Sequence, residues 1–174
     1  VGANPRGNHS SGNINVTVPS TSFPRPDYSM NQKYPNIRAI WNIQEMSDIG
    51  SGISARKNRA VYANTAGDIV AVDLSSGTKI WSYPTGGKIY STPAIDGNRV
   101  VCASTDHNIY CLDLQSGKLI WMHPTIKPIV ACPAIEANRV YIGSSDGSFR
   151  CLNLSDGKLV WKFDSVKNFV ECKP

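Results

Sequence analysis

The four tryptophans of this chain, Trp41, Trp81, Trp121 and Trp161, are its only ones, and each lies forty residues after the last. Three further sets keep the same phase. Gly77, Gly117 and Gly157 each stand four residues before a Trp, and Asp73, Asp113 and Asn153 stand eight before. The dipeptides Asn58-Arg59, Asn98-Arg99 and Asn138-Arg139 recur at the same interval. Four independent sets held in register specify a repeat, and a period of this length restricts the chain to a few architectures.

The middle repeat predicts four short strands. Residues 89–95 form the first, and Asp96-Gly97-Asn98 turn the chain, since Gly and Asn accept positive φ. Residues 99–104 form the second, and Thr105-Asp106-His107 a second turn. Residues 108–112 form the third, and 118–122 the fourth. Between these last two lies a hairpin loop, Asp113-Leu114-Gln115-Ser116-Gly117. These strands are rich in β-branched and aromatic residues and are bounded by turn chemistry. No helical period intervenes. Four strands per forty residues describe a propeller blade. A β-sandwich would not repeat its turn residues in strict phase. The WD40 pattern is disfavoured because Asn42, Ser82, Met122 and Lys162 follow the tryptophans where that family places Asp.

The segments Ala71-Val72-Asp73-Leu74-Ser75-Ser76-Gly77-Thr78-Lys79-Ile80-Trp81, Cys111 to Trp121 and Cys151 to Trp161 resemble the tryptophan-docking motif of PQQ-like, quinoprotein-type propellers. That motif runs Ala-x-Asp-x-x-Thr-Gly-x-x-x-Trp. Ile89-Tyr90-Ser91-Thr92-Pro93-Ala94 and Ile129-Val130-Ala131-Cys132-Pro133-Ala134 resemble the family's innermost strand. The resemblance implies an all-β, partial β-propeller of four-stranded antiparallel blades. It also implies that each Trp docks on the next blade near its motif glycine, Trp81 near Gly117 and Trp121 near Gly157. The physics is independent of the family: an indole has a large area to bury and an N–H to satisfy, and a glycine lets it lie flat on a peptide.

Full blades are expected at 49–83, 88–123 and 128–163 within a propeller region 37–174. A lone outer strand is expected at 37–43 and a lone inner strand at 169–173. Three blades fall short of a closed ring, so the chain is expected either to continue past Pro174 or to complete a ring by association with further blades. Residues 1–36 differ in kind. Five of the eleven prolines lie in the first forty residues, with many Ser and Asn, which predicts a linker or extended arm or the end of an upstream domain. Residues 14–18 could form a strand. Asn15-Val16-Thr17 is a glycosylation sequon by pattern only. Gly7-Asn8-His9, Gly12 to Val18 and Arg25 to Ser29 resemble the exit from a calcineurin-like metallophosphoesterase into an appended propeller. That resemblance implies a catalytic domain upstream.

Hydrophobic residues make up 41% and charged residues 18%, a globular balance. No apolar run is long enough to span a bilayer. The net charge of +5 divides into +3 before residue 41 and +2 after it. Interspersed charges of both signs are not a nucleic-acid footprint. Cys102, Cys111, Cys132, Cys151 and Cys172 have no metal or disulfide spacing and fall on predicted strands, so buried free thiols are expected. His9, His107 and His123 are scattered, and neither a zinc site nor a catalytic triad can be assembled from them.

These features point first to a non-catalytic protein-interaction or ligand-binding scaffold, as PQQ-like propellers without quinone are, in a larger periplasmic or otherwise extracytoplasmic bacterial protein. Contacts are expected on loops at the starts of the inner strands, with Asp48, Lys88, Tyr90, Lys127, Lys167 and Glu171 as candidates. No cofactor is expected. PQQ and Ca²⁺ would enter only in a complete propeller acting as a quinoprotein dehydrogenase, and neither that family's adjacent Cys-Cys pair nor an acidic inner cluster is present. A third reading arrays Arg59, Arg99 and Arg139 as a cationic row for polyanions or carbohydrate. Its structural counterpart has each Arg pairing within its own blade.

Overall fold

The structure, a computed structural model, describes residues 38–165. The strands are β1 Ser54–Arg56, β2 Arg59–Ala63, β3 Asp68–Asp73, β4 Lys79–Pro84, β5 Ala94–Asp96, β6 Arg99–Ala103, β7 Asn108–Asp113, β8 Leu119–Pro124, β9 Ala134–Glu136, β10 Arg139–Gly143, β11 Ser148–Asn153 and β12 Leu159–Asp164. They form three four-stranded sheets, each a simple up-and-down meander: β1 to β4, β5 to β8 and β9 to β12. All pairs within them are antiparallel, and their registers repeat, with Arg59 opposite Asp73, Arg99 opposite Asp113 and Arg139 opposite Asn153. The fold is all-β, and each sheet is a propeller blade.

The middle strands of the second blade are apolar on both faces, because each face belongs to a different interface. On β6, Val101 and Ala103 join the core shared with the third blade, whereas Val100 and Cys102 join the core shared with the first. On β7, Ile109 and Cys111 face one way and Tyr110 and Leu112 the other. The two-residue side-chain period thus sorts residues between neighbouring blades rather than between core and water. Burial raises the Cys102 and Cys111 thiols to about 12, so both are inert hydrophobes at neutral pH. Cys151 is also buried and Cys132 half-buried, and all four are free.

Two expectations about strands are corrected. The first strand of the middle blade runs only Ala94–Asp96 rather than 89–95. Pro93 has no N–H to give a ladder, and the segment before it bonds elsewhere. Ile89 N–H donates to Asn64 O of the first blade (3.3 Å) and Thr92 N–H to Cys132 Sγ of the third (3.2 Å). Ser91 Oγ takes the place of a ladder pair, donating to Ala103 O (2.7 Å) and accepting from Ala103 N–H (3.0 Å). Described residues 38–43 form no strand either, for no neighbouring strand among the described residues offers them a ladder. The expected strands at 14–18 and 169–173, the arm at 1–36 and Cys172 lie outside the described residues.

The indoles lie against glycines of the following blade. A Cβ built on Gly77, Gly117 or Gly157 would stand 2.6 Å from Cδ2 of Trp41, Trp81 or Trp121 respectively. The same three glycines have φ near +70°, the left-handed region (71°, 69° and 70°). Gly97 is also left-handed at 57°, but its missing Cβ would meet nothing within 4 Å.

These two kinds of glycine make a controlled pair. Gly97→Ala carries only the backbone penalty, about 1 kcal/mol. Gly117→Ala adds displacement of the Trp81 ring, and is expected to cost about 3 kcal/mol or more by urea denaturation. Equal losses would mean that the indole contact contributes nothing.

Candidate functional site

The antiparallel meander gives the propeller two unlike ends. One end carries the β1–β2 turns and the β3–β4 loops, where all the phase-locked residues meet. Trp41 Nε1–H donates to Leu74 O (2.8 Å), Trp81 to Leu114 O (3.0 Å) and Trp121 to Leu154 O (2.9 Å). The N–H groups of Leu74, Leu114 and Leu154 in turn donate to Asn58 O, Asn98 O and Asn138 O. Asp73 Oδ1 accepts from the N–H groups of Ser75 (2.9 Å) and Ser76 (3.1 Å), and Asp113 Oδ1 from those of Gln115 (3.1 Å) and Ser116 (2.8 Å). These donors, led by the Ser75 hydroxyl, hold the Asp73 carboxyl below its ordinary range.

Two members of the arginine row are engaged within their own blades at this same end. Arg59 pairs with Asp73 (3.3 Å), and Arg139 donates to Asn153 Oδ1 (3.1 Å). Asn58 donates to Asp73 (2.6 Å), and Asn98 donates to Asp113. Arg99 lines a groove of 280 Å³ between the second and third blades, together with Asp96, Asp113, Asn138 and Leu154. Each arginine therefore stands beside its own hairpin loop, and the repeated Asn-Arg and Asp positions recur together because they touch.

Trp161 differs from the other three. It is 44% exposed and rests on Phe149 and Tyr141 of its own blade, with ring centroids 5.9 and 6.1 Å away. Trp121 is 7% exposed.

The opposite end carries the β2–β3 turns and the connections between blades. Each turn is clamped twice by the same pair of bonds. Thr65 N–H donates to Asp48 O (2.8 Å), Thr105 to Lys88 O (3.0 Å) and Ser145 to Pro128 O (3.4 Å). On the other side, Thr85 N–H donates to Gly67 O, Thr125 to His107 O and Ser165 to Gly147 O, at 2.7 to 2.8 Å. The backbone here is thus fixed and repetitive, while the side chains are neither. Asp48, Lys88, Tyr90 and Lys127 are exposed at this end, and Lys167 and Glu171 lie outside the described residues. Exposed Met46 and Ile126, at equivalent repeat positions, also stand here and were not singled out from the sequence.

Beneath these turns lie three polar contacts that the repeat gives no warning of. In the third blade Arg150 pairs with Asp146 at 2.7 Å, both nearly buried (6% and 9% side-chain exposure). Burial alone would raise the Asp146 carboxyl, but bonds from Arg150 and Ser148 overcome it and hold the group far below the carboxylate range. At the matching place in the second blade, Tyr110 O–H donates to Asp106 (2.6 Å). The first blade has Ala66 and Val70 there. Separately, Glu45 accepts from the Tyr62 hydroxyl and pairs with Lys79 (3.3 Å), and the Tyr62 bond leads in lowering its carboxyl.

Among the described residues no three of His, Cys, Asp and Glu are gathered to hold a metal ion, and no helix is long and apolar enough to cross a membrane. A family model described as outer membrane protein assembly factor BamB matches residues 35–162. Among solved structures, BamB from Moraxella catarrhalis is 26% identical, with a TM-score of 0.66 over 71% of this chain and 40% of that one. The computationally designed Ika4 protein is 19% identical (TM-score 0.67, 74% of this chain, 80% of that one). The quinohemoprotein alcohol dehydrogenase of Comamonas testosteroni is 17% identical (TM-score 0.63, 69% and 21%). No curated protein matches the chain. The chain therefore spans less than half the length of the BamB structure. The segments resembling a phosphoesterase exit lie before the matched region and outside the described residues, so that link gains no support.

One junction carries a titratable group. His123 Nδ1 lies 3.0 Å from Gly157 O, beside the Trp121 dock, and burial followed by the Arg150 charge holds it below its ordinary 6.5, against the pull of the Gly157 bond. A depressed imidazole is neutral in the folded state. It contributes stability above pH 6.5 that is lost as pH falls from there through the lowered value. Since Tyr83 and Phe163 occupy the equivalent positions, His123→Phe is expected to fold and to lose less stability than the natural chain between pH 7.5 and 5. Parallel denaturation midpoints across that range would remove the assignment.

Proposed function

Because the chain belongs to the PQQ-like repeat family whose model is described as outer membrane protein assembly factor BamB, we propose that residues 37–174 are a non-catalytic, protein-binding propeller region of a larger bacterial cell-envelope protein. The observation that carries this reading is the contrast between the two ends. At one end the repeated polar side chains are engaged in holding blades together. At the other, Lys88 and Tyr90, which do not recur from blade to blade, are exposed on clamped backbone beside Ile126 and Lys127. Variable side chains on rigid loops are how scaffolds present contacts. The docking residues, Trp41, Trp81, Trp121 and Trp161 with Gly77, Gly117, Gly157, Asp73, Asp113 and Asn153, serve the ring in this reading and not a ligand. Residues 1–36 then act as the arm leading into it.

The alternatives have less behind them. Likeness to the Comamonas dehydrogenase is one of fold, and no three of His, Cys, Asp and Glu are gathered among the described residues. A polyanion site on the arginine row would have to draw Arg59 and Arg139 away from Asp73 and Asn153.

A photo-crosslinking residue placed at Tyr90, in the native protein in its source cells, is expected to capture a protein partner. The same residue at Ile80, exposed on outer strand β4, is expected to capture none. Capture from Ile80 alone would overturn the assignment of the binding end. Addition of PQQ with Ca²⁺ is expected to leave the tryptophan fluorescence unchanged, and a stoichiometric quench would restore the dehydrogenase reading.

A further inference from the structure

The second blade's turn is decorated where the first blade's is bare. Five places around it correspond one to one across forty residues, held by the same backbone bonds. In the first blade they are Asp48, Gly50, Gly67, Gly86 and Gly87. In the second they are Lys88, Tyr90, His107, Ile126 and Lys127. Four glycines and an acid have become two cations, two aromatic rings and a branched apolar side chain. All five are exposed, Ile126 by 74% and Tyr90 by 43%.

They form one patch, since hydrogen bonds tie their segments together. Thr105 joins Lys88 through its N–H and through Oγ1 (2.9 Å), and Thr125 joins the His107 carbonyl through its N–H (2.7 Å) and Oγ1 (2.9 Å). Thr125 Oγ1 also reaches Lys127 O (2.8 Å).

His107 sits at φ 76°, where the first and third blades have Gly67 at 100° and Gly147 at 81°. A side chain is kept at a position that disfavours one, and such strain gathers at sites of use. The Asp106 carboxylate of this turn accepts from Gly86 N–H (2.7 Å), Asn108 N–H (3.0 Å) and Tyr110 O–H (2.6 Å). These donors are neutral and leave it its charge, and Lys88 and Lys127 outnumber it, so the turn carries a net charge of +1.

We propose that this patch binds an extended, acidic segment of a partner protein, with carboxylates meeting Lys88 and Lys127 and apolar side chains resting on Tyr90 and Ile126. The proposal rests on the reading of this end as the binding surface and adds the chemistry of what binds there. Two lysines are few for a polyanion, which is held by many phosphate or sulfate contacts. A ring and a branched aliphatic on the same segments suit a protein segment with alternating charge and bulk.

The test uses the full chain and a fluorescent octapeptide of alternating Asp and Leu, read by anisotropy and by amide shifts in NMR. Shifts are expected at 86–90, 105–107 and 125–128. Affinity is expected to fall about tenfold in the double variant Lys88→Glu with Lys127→Glu, and as salt is raised. His107→Gly is expected to raise the denaturation midpoint while weakening the peptide, an outcome that a merely structural histidine would not give. Shifts at these residues with affinity indifferent to charge reversal would overturn the acidic partner and leave the binding end standing. Shifts confined to other regions, or none, would overturn both. Tighter retention on heparin or anionic vesicles than on the peptide, lost in the same double variant, would overturn the protein partner in favour of a polyanion.

Discussion

An indole lying flat on a glycine of the next blade, its N–H given to a carbonyl three residues before that glycine, is the contact on which the rest of this arc depends. Trp41, Trp81 and Trp121 each make it, at 2.8 to 3.0 Å. Burying a ring of this size contributes on the order of 2 to 3 kcal/mol, and the hydrogen bond removes the cost of burying its N–H. The glycine must be left-handed to close its loop and bare to admit the ring, so both demands select the same residue. The carbonyl is positioned by Leu74, Leu114 or Leu154, whose N–H is held by the Asn-Arg turn. A single contact thus recruits Trp, Gly, Asp and Asn-Arg into one unit, and that unit is what repeats.

The second blade has no core to itself. Alternate residues of β6 and β7 serve opposite neighbours, so the second blade is buried only because the first and third flank it. Stability in such an array is a sum of junctions between neighbours. The junctions are not equal. The one between the second and third blades buries Trp121 to 7% and adds His123 against Gly157, whereas Trp81, at the junction of the first and second, is only partly buried. The Asp-to-Asn change at Asn153 turns the Arg59–Asp73 ion pair into a hydrogen bond from Arg139 to a neutral amide (3.1 Å), and the 2.6 Å bond from Asn58 to Asp73 becomes a 3.4 Å contact from Asn138.

The blades, their turns and their order were legible because the residues that make them are the residues that recur. Forty-residue phase exposes Trp81 and Gly117 without any structure. What phase cannot expose is a side chain that one blade has and its neighbours lack. Asp146 with Arg150, Asp106 with Tyr110, and Ala66 with Val70 occupy the same two places in three blades, and each pair is internally matched: charged, hydrogen-bonded, apolar. Reading the columns for paired differences, rather than for identities, would have found them. The short inner strand escaped for another reason. Residues 89–93 have strand composition, but Pro93 and the cross-blade bonds of Ile89 and Thr92 spend their backbone groups outside the ladder.

The same distinction bears on where specificity resides. A position that repeats around a ring answers to the ring, and its chemistry is consumed by the neighbouring blade, as Arg59 is by Asp73. A position whose backbone contacts repeat while its side chain does not is free of that demand. Around the second-blade turn the backbone bonds of the first blade are reproduced, so the added lysines, rings and Ile126 contribute nothing to closing it. His107 goes further, since its left-handed backbone would be better served by the glycine found at Gly67 and Gly147. A propeller can carry such a patch because its indole docks lie at the other end, where substitutions on this surface do not reach them.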